Sequence, residues 1–127
     1  MSAPPIASIR FTIPLHTVSE ANARSHRMAK AGRVKAQRKT TTDVVCALVG
    51  PRCPLPTPLV VELVRLAPSS GLDDDNLTSA LKATRDALAK WLGVDDRKRD
   101  VVRYEYDQRR EKTYGVEVCI RPMEEEC

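Results

Sequence analysis

Asp73-Asp74-Asp75-Asn76 and a second acidic pair, Asp95-Asp96, are the residues of this chain whose types and spacing could do chemistry. An amphipathic helix pattern lies between them. Carboxylates gathered at both ends of one helical segment point to a divalent cation, because hard ions such as Mg²⁺ and Mn²⁺ prefer carboxylate, carbonyl and water oxygens. Capping offers a simpler account of the first group, since acids at a helix N-terminus oppose the macrodipole and each contributes about 0.3–1 kcal/mol. Asp95-Asp96, taken alone, fits a loop equally well.

What a metal would act on is suggested by the bases. From Arg24 to Lys39 there are seven of them, Arg24, Arg27, Lys30, Arg33, Lys35, Arg38 and Lys39, with no acid among them. Lysines and arginines bind phosphates while carboxylates hold a cation, so this segregation suits a metal-dependent enzyme working on a polyanion. The alternative is a solvated basic loop. The formal charge of +4 is mild, so its distribution matters more than its size. Cys46, Cys53, Cys119 and Cys127 lack the short paired spacing of a zinc site and are expected to be reduced packing thiols. His16 and His26 are too isolated for acid–base or nucleophilic roles.

These groups must be positioned by a small fold. The length of 127 residues fits one domain, and 42% hydrophobic with 30% charged residues describes a soluble globular chain. No apolar run is long enough for a bilayer and no signal-peptide pattern opens the sequence, so a cytoplasmic protein is expected. Ala7, Ile9, Phe11 and Ile13 alternate with polar residues as in a half-buried strand ended by Pro14. A helix is expected from near Arg33 to near Val49, followed by a stiff linker at Pro51, Pro54, Pro56 and Pro58. Leu59 to Leu66 is apolar on both faces, as in an interior strand. Leu77, Leu81, Thr84, Leu88 and Trp91-Leu92 follow helical spacing, with Gly93 as a stop. Tyr104 and Tyr106 lie on one strand face, where packing is a better account of them than base stacking. The alternating runs Val102–Tyr106 and Tyr114–Ile120, joined by a polar turn, predict a β-hairpin. The fold expected is α/β (α+β), one domain over 1–127 with a mixed sheet of about four strands and two main helices, a basic arm over about 20–40 and a frayed acidic tail at 123–127.

In this order the residues resemble the RusA-type Holliday-junction resolvases, the crossover junction endodeoxyribonucleases of bacteria and their phages. In that family a strand leads into Asp-x-Asp-Asn, a helix carries a Lys and then Asp-Ala-Leu, and an Asp-Asp pair precedes the next strand. Here those elements are Asp73 to Asn76, Lys82, Asp86-Ala87-Leu88 and Asp95-Asp96, together about a quarter of the chain. Asn22 and Arg24, in a basic segment after a first strand ended by proline, agree more loosely. The resemblance implies a homodimeric, Mg²⁺- or Mn²⁺-dependent endonuclease that cuts four-way DNA junctions in recombination and repair. It implies Asp73, Asp75 and Asp96 as catalytic metal ligands, Lys82 as a catalytic, positively charged residue beside the scissile phosphate, and the arm residues as DNA contacts.

One spacing departs from the family. There the Lys follows the second Asp by four residues, whereas Asp75 to Lys82 is seven, with Ser79 in the lysine's place. At about 100° per residue the face is kept, but Lys82 starts about 10 Å along the axis from Asp75. Asp96 poses a second problem, because a straight helix from Asn76 to Leu92 would be about 25 Å long. Either the helix stops near Ala89 and the chain runs back, or two protomers pair these helices antiparallel and share the site. Lys82 and Asp86 are also spaced as a surface ion pair. The competing reading is a RusA-like module without activity, binding branched DNA or a protein. A phosphoesterase for small substrates would leave the basic arm idle.

Overall fold

The structure is a computed structural model that describes residues 8–17, 27–69, 71–94 and 101–123, with the side chains of 27–29 excepted. Its elements are β1 (Ile9–Ile13), α1 (Arg27–Leu48), β2 (Leu59–Ala67), α2 (Asp74–Leu92), β3 (Val102–Arg110) and β4 (Gly115–Pro122). They form an α+β fold with one mixed sheet of four strands in the order β1-β4-β2-β3. β4 is antiparallel to both β1 and β2, while β2 and β3 are parallel from Leu59↔Val102 to Ala67↔Arg110. β1, β2 and β3 therefore point the same way, and α1 and α2 are the crossovers between them.

The expected hairpin of β3 and β4 does not form. β2 lies between them, and the link after Arg110 passes over its end, where the Glu111 amide donates to the Ala67 carbonyl at 3.0 Å. The reason is burial: Leu59, Val60, Val61, Leu63, Val64 and Leu66 are all buried, and a strand apolar on both faces takes a central position with a ladder on each side.

Both helices cover one face of the sheet. Val45 of α1 and Leu77, Leu81 and Leu88 of α2 share a core with Phe11, Ile13, Val61, Leu63, Val116, Val118 and Ile120. The opposite face is crossed by two ion pairs that span β2 from β4 to β3, Arg121–Glu105 and Arg109–Glu117, each at 2.9 Å. Their long stems lie over the side of β2 that carries Val60 and Val64, as amphipathic side chains do.

α2 is an ordinary amphipathic helix with capped ends. The Asp73 carboxylate accepts from the Asn76 amide at 2.9 Å, and Gly93 closes the other end in the left-handed region at φ 74°. α1 is different. It begins at Arg27, six residues before the apolar pattern suggests, so this part of the basic arm is helix rather than loop. Ala, Lys, Arg and Gln favour helix without leaving an apolar stripe to read. Its β-branched second half is accommodated because the Thr41 hydroxyl donates back to the Gln37 carbonyl at 2.8 Å. Trp91 ties the two helix ends together, its indole N–H donating to the Gly50 carbonyl at 2.9 Å. Met123 is held too, its amide donating to the Pro58 carbonyl at 3.1 Å, and the acidic tail beyond it lies outside the described residues.

Cys46 and Cys53 are free thiols, and burial pushes the Cys53 pKa up. Cys119 is in a disulfide, contrary to the expectation of four reduced thiols, and its partner lies outside the described residues. No described helix is long and apolar enough to cross a membrane.

Candidate functional site

The acidic motif sits where the carboxyl ends of β1, β2 and β3 meet the N-terminus of α2. After Ala67 the chain crosses to Gly71-Leu72, and Gln108 of β3 fixes it there with a pair of hydrogen bonds. The Leu72 amide donates to Gln108 Oε1 at 2.8 Å, and Gln108 Nε2 donates to the Leu72 carbonyl at 2.7 Å. Gly71 permits this close seating, since a Cβ there would come 3.2 Å from the Gln108 carboxamide. Asp73 then caps the helix and Asp74 and Asp75 occupy its first turn, all three exposed.

Asp73 uses Oδ1 for the cap, which leaves Oδ2 available, and Asp75 makes no hydrogen bond or ion pair with a described residue. Two hard-oxygen donors on one helical turn suit Mg²⁺ or Mn²⁺, which is commonly bound through one or two carboxylates plus waters and substrate phosphate. Among the described residues no three of His, Cys, Asp and Glu come together. The third expected ligand, Asp96, lies outside the described residues, as does Arg24. The early stop near Ala89 that would let the chain return does not occur, because α2 continues to Leu92.

Lys82 projects from α2 into a different place. It is exposed and lines a groove of about 780 Å³ between the helices with Arg38, Lys39, Asp43, Arg85 and Lys90. The surface pair expected between Lys82 and Asp86 is replaced: Asp86 accepts from Arg38 of α1 and from its neighbour Arg85, each at 3.2 Å. The Arg85 Nη1 also donates to the Tyr106 hydroxyl at 3.3 Å. Burial works against the Arg85 charge, and its contacts with Tyr106 and Asp86 outweigh that, holding its pKa above the usual arginine value. Tyr104 and Tyr106 pack against the core.

Because α1 and α2 are both crossovers between strands pointing one way, they run in the same direction, with Arg38 beside Asp86. Farther toward their N-termini, Lys30 and Val34 line a small cavity with Ser79, Lys82 and Ala83. The first turns of the basic helix thus lie toward the acidic end of α2, with Lys30 across from Ser79. The bases are not all on this side. Lys30, Arg38 and Lys39 line the α2 side, with Lys39 paired to Asp43 at 2.6 Å, while Arg33 borders His16 and Pro14 beside β1 and Lys35 is exposed.

Two residues of this region escape motif reasoning. Gln108 looks like one more polar residue of an alternating strand, yet it seats the acidic loop. Arg65 interrupts an apolar strand, a signal that could have been read, and lies buried next to Gln108 in the sheet register. Neither protein-family models nor curated proteins give a match to this chain.

Proposed function

We propose that this chain is a metal-dependent endodeoxyribonuclease of the RusA type that resolves four-way DNA junctions in recombination and repair. A cytoplasmic site of action follows from that substrate. The observation that carries the reading is the seating of Asp73 and Asp75 on the first turn of α2, at the carboxyl ends of the parallel strands, with the basic helix α1 running alongside in the same direction. Open α/β sheets receive ligands at that end.

Asp75, whose oxygens engage no described residue, and Asp73, through Oδ2, would hold the cation. A bound Mg²⁺ or Mn²⁺ supplies Lewis-acid polarisation of the phosphodiester and a water of lowered pKa. Lys30 and Arg38, with Lys82 and Lys90 facing them across the groove, neutralise backbone phosphates on either side of the cut. Lys82 acts from a distance as a phosphate contact, since it starts about 10 Å along the helix from Asp75. With α2 unbroken to Leu92, a two-fold dimer that pairs the helices antiparallel would bring Asp96 of one protomer toward Asp73 and Asp75 of the other, and it would suit two symmetric cuts.

The test is incubation of the protein with a synthetic four-way junction and a matched duplex, in Mg²⁺ and in EDTA, alongside Asp75→Asn. Symmetric nicks on the junction alone, dependent on Mg²⁺ and lost in the variant, are expected. A second reading has its own support in the cap role of Asp73 and the remoteness of Lys82. A RusA-like module kept for binding branched DNA or a protein would bind the junction tightly in EDTA and leave it intact when Mg²⁺ is restored.

A further inference from the structure

Arg65 is the least expected side chain in the sheet. It points to the helix-covered face, as Leu59, Val61 and Leu63 do, and only 6% of it is exposed. A guanidinium is charged at every accessible pH, and removing it from water is costly unless an opposite charge accompanies it. Its partners are two neutral hydroxyls: Nε donates to Thr17 Oγ1 at 3.2 Å and Nη2 to Ser69 Oγ at 3.3 Å. No described carboxylate pairs with it. Nη1 makes no hydrogen bond with a described residue and is not sealed from solvent.

Its place in the fold gives this unbalanced charge a direction. Arg65 is the register partner of Gln108, whose carboxamide holds Leu72, the residue before Asp73. The guanidinium and the acidic motif thus share one rim, at the carboxyl ends of β1 and β2. Asp73, Asp74 and Asp75 are exposed and do not pair with it. A planar fork of donors with two hydroxyls beside it matches the oxygens of a phosphate, and the positive end of the α2 dipole lies on the same rim.

We propose that Arg65, with Thr17 and Ser69, is a phosphate-binding site that receives a non-bridging oxygen of the DNA backbone next to Asp73 and Asp75. It provides, at the acidic end of α2, the fixed positive charge that Lys82 is too far along the helix to supply. The identity of the phosphate as DNA rests on the nuclease reading, whereas the anion site does not.

Thymidine 3′,5′-bisphosphate and then inorganic phosphate, titrated into the whole chain in EDTA while the Arg65 Nε–Hε NMR signal is followed, test the site directly. A saturable shift of that signal is expected. Affinity should fall by about 10-fold or more in Arg65→Met and by less in Arg65→Lys, which keeps the charge but not the fork. An Arg65 signal unmoved by both probes, or an Arg65→Met protein that binds the bisphosphate as the parent does, would overturn the proposal. If Arg65→Met does not fold, the parent's signal decides alone. Phosphate binding at Arg65 with no junction cleavage would sink the nuclease reading and leave this site standing, and cleavage with a silent Arg65 would do the reverse.

Discussion

The groove between α1 and α2 and the rim at the start of α2 are both rich in charge, and they treat it in opposite ways. In the groove most charges answer one another: Asp86 holds Arg38 and Arg85, Asp43 holds Lys39, and Arg85 also reaches Tyr106. The open Lys39–Asp43 pair contributes about 0–1 kcal/mol, while the better-shielded pairs of Asp86 tie α1 to α2. On the rim, among the described residues, Asp75 has no partner, Asp73 has an oxygen to offer, and Arg65 is buried with hydroxyls only. Charges left unanswered at one end of a fold that answers them elsewhere mark where a charged ligand would complete the set.

The largest effect should come from the rim. Asp75→Asn keeps the shape and the helix start but halves the available carboxylates, and loss of several kcal/mol of transition-state stabilisation would lower the cleavage rate by about 10³-fold or more. Junction affinity in EDTA should be nearly unchanged, measured by gel shift, and thermal unfolding should move little because Asp75 is exposed and makes no hydrogen bond or ion pair with a described residue. A variant that cleaves at the parental rate would put the metal elsewhere.

Next is the residue that seats the motif. Gln108→Ala strands the Leu72 amide and carbonyl, half-buried groups whose loss of partners costs about 1–3 kcal/mol. Urea unfolding should show that loss, and cleavage should fall with it because Asp73 and Asp75 follow directly. Stability lost with cleavage intact would mean that the rim keeps its geometry without the β3 tether.

Motif order pointed to this rim, and local pattern anticipated most elements, because Asp73–Asn76 is a contiguous signal and α2 carries its own apolar stripe. What stayed hidden depends on tertiary partners. Gln108 contacts a residue 36 positions away, and nothing in its own neighbourhood announces that. The central place of β2 between β3 and β4 is a consequence of burial on both sides, which a turn-rich link between two alternating runs conceals. The early start of α1 was invisible because its first turns are basic and carry no stripe. The same spacing that suggested a Lys82–Asp86 pair on one helix was overridden by Arg38 arriving from the other.

Lys82 separates the two regions more finely. If it belongs to the groove, Lys82→Met should leave the single-turnover rate on saturating junction close to parental, while affinity falls severalfold and the slope of log affinity against log salt drops by about 1. A fall in rate at saturation, with affinity kept, would instead assign Lys82 to the rim and reduce the need for Arg65 there.

The smallest effect is the most pointed, because its sign decides. Asp86→Asn removes the carboxylate that two guanidiniums share, and at this position, where its side chain is only 23% exposed, the cost in stability should be about 0.5–1.5 kcal/mol. Junction binding should become tighter, since Arg38 and Arg85 are freed to face the polyanion in a groove that already holds Lys82 and Lys90. Binding that weakens instead would show that Asp86 presents those arginines to the DNA, so that the groove is an arranged contact surface whose internal pairs are part of recognition.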